Sequence, residues 1–87
     1  MGAKQYEKNG KTYININGID YRYGMSKSLN NGVFLIVLAH NTDTGYTILI
    51  RPRFRNDDDP NSRWGIFRNV GVDQKLAIHA YDKITMI

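Results

Sequence analysis

The 87-residue chain contains no cysteine. Disulfides, thiolate metal sites and cysteine nucleophiles are therefore excluded. Small secreted domains usually depend on disulfides, so their absence points to a reducing, cytoplasmic setting. Long apolar runs are also missing: the longest, Val33 to Ala39, has seven residues and is too short to span a bilayer. The opening MGAKQYEKNGK is polar and lacks the apolar centre of a signal peptide. Tyr6 stands where a myristoylation signal beginning at Gly2 needs Ser or Thr. Nothing in the sequence indicates a membrane partner. No ten-residue stretch shows helical periodicity, no segment repeats, and no glycine-rich phosphate cradle is present.

What the sequence does contain is dense turn chemistry and aromatic residues. Apolar residues make up 41%, among them six tyrosines, three phenylalanines and one tryptophan. Residues 1–87 suit a single domain, whose folding buries about 60–65% of the surface exposed by the unfolded chain. The formal net charge of +4 favours anionic partners.

Asn9-Gly10 and Asn17-Gly18 each separate strand-like segments, and Asn-Gly suits the two-residue type I′ hairpin. Together they predict a three-stranded meander over about residues 4 to 24. Met25 to Asn31 reads as a polar connector with room for one helical turn. Val33 to Ala39 reads as a central strand buried on both faces. Tyr46 to Arg55 alternates clearly: Tyr46, Ile48, Ile50, Pro52 and Phe54 share one face, while Thr47, Leu49, Arg51, Arg53 and Arg55 share the other. Pro52 cannot donate to a ladder, so that end of the strand lies at an edge, at a bulge or past the pairing. A short strand is expected around Trp64 to Val70. Leu76 to His79 and Ile84 to Ile87 read as two final strands.

This pattern predicts an all-β fold of five to eight short antiparallel strands, as a small barrel or alternatively a small β-sandwich. The closing segment Lys75 to Ile87 resembles the last two strands of SH3-like and Sm-like barrels, in which a tight turn joins a short strand to a terminal one. That resemblance covers thirteen residues. It implies a barrel and carries over no functional residue.

Arg51, Arg53, Arg55, Arg63 and Arg68 are five of the six arginines and fall within eighteen positions. Guanidinium groups on alternate strand residues lie about 6.6–7 Å apart, a spacing that lets them meet successive phosphates. Tyr46, Phe54 and Trp64 lie near in sequence and could supply base stacking. The competing reading makes the arginines a solvated face neutralised by Asp57, Asp58 and Asp59. Asp57, Asp59 and Asn61 open like a calcium loop, but Ser62 replaces the turn glycine and Arg68 the bidentate glutamate, so no metal is expected. Tyr13, Tyr21, Tyr23, Tyr46 and Tyr81 suit half-exposed strands or an interface.

Three functions compete on these grounds. The first is a cofactor-free, non-enzymatic module binding single-stranded nucleic acid or a phosphorylated small molecule through Arg51, Arg53, Arg55, Arg63, Trp64, Arg68 and Tyr46. The second is a protein-interaction domain, such as a phage- or mobile-element-encoded inhibitor of a host protein, or a ring-forming subunit. The third is a small ribonuclease-type toxin using His40 and His79. The apolar ending Ile84 to Ile87 favours strand pairing and a homo-oligomer.

Overall fold

The computed structural model describes residues 4–53 and 63–87. Six strands pair antiparallel in chain order: β1 (Lys4–Lys8), β2 (Lys11–Ile16), β3 (Ile19–Leu29), β4 (Phe34–Asn41), β5 (Gly45–Pro52) and β6 (Gly65–Gly71). One helix among the described residues, α1 (Gln74–Lys83), follows. The architecture is all-β with one short helix, and the sheet is unclosed because, among the described residues, β1 pairs only with β2 and β6 only with β5.

The first two turns form as their sequences require. Asn9, Gly10, Asn17 and Gly18 all take positive φ, between 52° and 86°, the conformation a type I′ hairpin needs. With two residues in each turn, pairing runs outward from the flanking residues. Lys8 therefore opposes Lys11, Tyr6 opposes Tyr13, and Tyr13 in turn opposes Arg22.

Two segments depart from the sequence reading. Met25 to Leu29 is no connector, because it continues β3 against β4. Residues 74–83 form a helix and Ile84 to Ile87 no strand, so the two closing strands and the barrel-like ending inferred from this segment are corrected. The helix starts at Asp73, whose carboxylate accepts from the Lys75 and Leu76 amides at 2.9 and 3.2 Å. Ala77, Tyr81 and Ile84 follow at i, i+4 and i+7, and all three are buried.

Both faces of the sheet carry apolar clusters. On the helix face, Leu29, Ile36, Leu38 and Ile48 pack against Ala77, Tyr81 and Ile84. On the other, here the tryptophan face, Ile14, Tyr21, Val37, Ala39 and Leu49 cluster with Trp64. Ile36 to Ala39 of β4 are accordingly buried on both sides, as expected for the central strand. Pro52 lies past the pairing with β6, which ends at Ile50 opposite Gly65. Three contacts hold the C-terminal part to the sheet. The Tyr81 hydroxyl donates to the Ile36 carbonyl at 3.3 Å, Lys27 Nζ donates to the Tyr81 carbonyl at 2.9 Å, and Asn30 both donates to and accepts from the Ile87 backbone at 3.0 Å. Burial, with the charges of Tyr23 and Asp82 as lesser causes, pushes the Tyr81 phenol up to about 12.

A bulge in β3 decides which side chains reach which face. Tyr23 opposes Ala39 and Met25 opposes Leu38, leaving Gly24 as the extra residue. Before it, Tyr21 and Tyr23 point to the tryptophan face; after it, Lys27 and Leu29 point to the helix face. A Cβ on Gly24 would lie 2.5 Å from the Leu38 carbonyl oxygen, so only glycine fits without displacing backbone. Gly24→Ala should destabilise the fold by about 1–3 kcal/mol, the cost of overpacking. Gly65→Ala, whose new Cβ would approach nothing closer than 4.0 Å, should stay within about 0.5 kcal/mol. Urea denaturation of the two variants compares these costs.

Candidate ligand-binding face

The arginine-rich segment does not form one solvated face. Arg51 shares a face with Thr47 and Leu49 as its alternation requires, but that face points into the core, and Arg51 is only 5% exposed. Its guanidinium stacks 5.5 Å from the centre of the Trp64 ring, and Trp64 itself is 6% exposed. The indole N–H is buried and meets no acceptor among the described residues. Trp64 therefore packs in the core and presents no ring to an incoming base. Arg53 is half-buried and donates to Ser28 Oγ at 2.9 Å. Arg63 and Arg68 are exposed, the latter 5.6 Å above the Phe67 ring. Arg55, Phe54 and the Asp57 to Asn61 loop lie outside the described residues. Tyr46 lies on the helix face, away from Arg51 and Trp64.

A different constellation crosses the helix face. Tyr6 opposes Tyr13, Tyr13 opposes Arg22, Arg22 opposes His40, and His40 opposes Tyr46. Directly opposed residues project from the same side of a sheet, so these five form one transverse row over five strands, about 19 Å long at the usual strand spacing. Arg22 is exposed and the other four are half-buried. Tyr6 and Tyr13 stack with centroids 5.6 Å apart and planes 22° apart. His40 and Tyr46 lie 4.6 Å apart and tilted by 55°. Arg22 stands between the two aromatic pairs.

Charge surrounds this row unevenly. Strand alternation places Lys4, Lys8 and Lys11 on the same face, and among the described strand residues of this half only Asp20 opposes them and Arg22. Glu7 alternates to the other side. Asp20 is held locally: Asn15 Nδ2 donates to its carboxylate at 2.8 Å. That bond, followed by one from the Tyr6 hydroxyl, keeps the carboxyl below its ordinary range. The same Asp20 contact is the main reason the Tyr6 phenol is raised. Lys8 shares this field, since its charge also helps hold the Asp20 carboxyl down, and Lys11 stands directly opposite Lys8. Like charges directly opposed on a sheet are destabilising, and Lys8 and Lys11 are such a pair, so a bound anion would ease their repulsion.

Of this row, the ligand-binding set expected from the sequence includes only Tyr46, while His40 figures there as a catalytic candidate and Tyr13 as a half-exposed or interface residue. The signal for part of the remainder was available, since both hairpins fix the Tyr6–Tyr13–Arg22 register by counting from their turns. His40 and His79, considered as a catalytic pair, line different pockets: His40 borders one beside Arg22 and Tyr46, and His79 borders another beside Phe67 and Met86. Comparison with protein-family models, curated proteins and solved structures finds no match for this chain.

The two arginine environments predict opposite behaviour on truncation. Arg51→Ala should destabilise the fold by about 1–3 kcal/mol, through lost packing and the lost cation–π contact with Trp64. Arg22→Ala should leave stability within about 0.5 kcal/mol. Denaturant midpoints followed by Trp64 fluorescence separate the two.

Proposed function

We propose that the chain is a non-enzymatic module that binds extended single-stranded nucleic acid across its sheet, along the row from Tyr6 to Tyr46. The observation that carries this reading is the unbroken in-register sequence Tyr6–Tyr13–Arg22–His40–Tyr46 on a half-face bordered by Lys4, Lys8 and Lys11. Aromatic rings on a sheet give unpaired bases a stacking surface that accepts any base, and neighbouring cations follow the backbone. A row of about 19 Å is longer than one nucleotide, which favours a strand over a free mononucleotide. The anionic-ligand reading of the sequence is retained, but its surface moves from the Arg51 side to the opposite face.

A second reading is favoured by one separate feature. On its outer side β6 has no neighbouring strand among the described residues, and Ile66, Leu76 and Met86 nearby are 50%, 65% and 73% exposed. Arg68 and Lys83 border the pocket there, so an acidic, extended segment of a partner protein suits it by adding a strand to the sheet. Such docking would be indifferent to Tyr13, which separates the two readings.

Fluorescence anisotropy with a labelled single-stranded 12-mer tests the first. Binding should weaken with salt at a log–log slope of about −2 to −3, as expected for three or four phosphate contacts to a single strand. Tyr13→Ala should cost roughly fivefold to 100-fold in affinity, the value of one base-stacking contact. The Lys8→Ala/Lys11→Ala pair should flatten the slope by about 1.4. Undetectable binding at low salt, or affinity unchanged by Tyr13→Ala, would overturn the proposal.

A further inference from the structure

Where the row reaches the helix, the surface falls into a cleft of about 440 Å³ between the β3 bulge and the first turn of α1. Gly24 lies in its lining and contributes no side chain. Met25, Leu38 and Ile78 supply apolar walls, and the His40 and Tyr46 rings supply an aromatic one. Arg22 and Gln74 bring the polar groups. A mostly apolar cleft with a few convergent polar groups is the usual form of a small-ligand site. Gln74 is the first residue of α1, and the Asp73 cap fixes the turn that carries it.

We infer that this cleft takes one purine base of the bound strand, a reading that rests on the proposed nucleic-acid function. The chemistry comes from the two polar side chains. A guanidinium pairs in bidentate fashion with guanine O6 and N7, and a carboxamide does the same with adenine N6 and N7. Both use N7, an acceptor that pyrimidines lack. Arg22 and Gln74 border one cleft, so the N7 edge of each purine has a matching partner there, and pyrimidines have no N7 to offer. One ring of the tilted His40–Tyr46 pair offers its face to the base, and Met25 and Ile78 supply apolar contact beside it. The remaining bases of the strand lie on Tyr6 and Tyr13, where stacking carries no sequence preference.

The test compares oligothymidylate 8-mers with otherwise identical 8-mers carrying one central adenine or guanine. The purine-containing strands should bind roughly fivefold to 100-fold tighter, the discrimination given by one bidentate pair. Replacing the purine by its 7-deaza analogue should erase that advantage. Gln74→Ala should erase the adenine advantage while leaving oligothymidylate affinity and its salt slope unchanged. Gln74 is exposed, so the variant retains the fold. If all strands bind equally, the purine site is overturned and the binding module stands. The site is also overturned if the adenine preference survives both the 7-deaza replacement and Gln74→Ala. If no strand binds at low salt, both readings fall together.

Discussion

The arrangement of this sheet turns on one extra residue. Gly24 shifts the β3–β4 pairing by one position, and every side chain beyond it changes face. On the far side of the bulge, Leu29 and Lys27 reach the helix; on the near side, Tyr21 and Tyr23 go to the opposite core and Arg22 joins the transverse row. A continuous ladder carried down from Leu29 opposite Phe34 would invert this, sending both tyrosines to the helix face and Arg22 into the tryptophan core. The bulge is possible only because its central residue has no Cβ, which would press on the Leu38 carbonyl oxygen. Core packing, the position of Arg22 and the cleft beside Met25 therefore share one steric condition.

The second consequence is geometric. Ten helical residues span about 15 Å, whereas six strands extend about 24 Å from first to last. One short helix cannot cover such a face. It covers the side nearer β4, β5 and β6 and leaves the side formed by β1, β2 and the start of β3 open. Half-buried tyrosines are the residues suited to that border, since a ring can pack while its hydroxyl stays wet. Tyr81 shows the same chemistry inside the covered half, where its hydroxyl bonds to the sheet and burial suppresses its ionisation. The tryptophan face meets the opposite problem, a cation within a core, through the stacking of Arg51 on Trp64. Arg51 is packed within that core, while the open half of the helix face offers exposed charge.

Much of this was legible in the sequence, for reasons that mark where it stopped. Asn9-Gly10 and Asn17-Gly18 specify type I′ turns by conformational preference alone, and the apolar run from Val33 specifies a doubly buried strand. Thr47, Leu49 and Arg51 do share a face, but alternation does not say which face meets the core, and the charge of Arg51 pointed away from the answer. The closing segment was misread because Leu76 and Ile78 alternate as in a strand. Its helix signal was local: an Asp73 cap followed by Gln, Lys, Leu and Ala, all good helix formers. The row was half visible, because turn counting aligns Tyr6, Tyr13 and Arg22. Its continuation to His40 and Tyr46 depends on the bulge, whose sign in the sequence is Gly24 directly after the strand-like Ile19 to Tyr23.

The central claim is that the open half of the helix face is the binding surface. It is tested most directly by nuclear magnetic resonance on labelled protein titrated with a short single strand at low salt. Shifts should concentrate on Tyr6, Tyr13, Arg22, His40 and Tyr46 and on the lysines beside them, with Trp64 and Arg51 unmoved. Shifts centred on Arg63 and Arg68 with the tyrosine row silent would contradict the account.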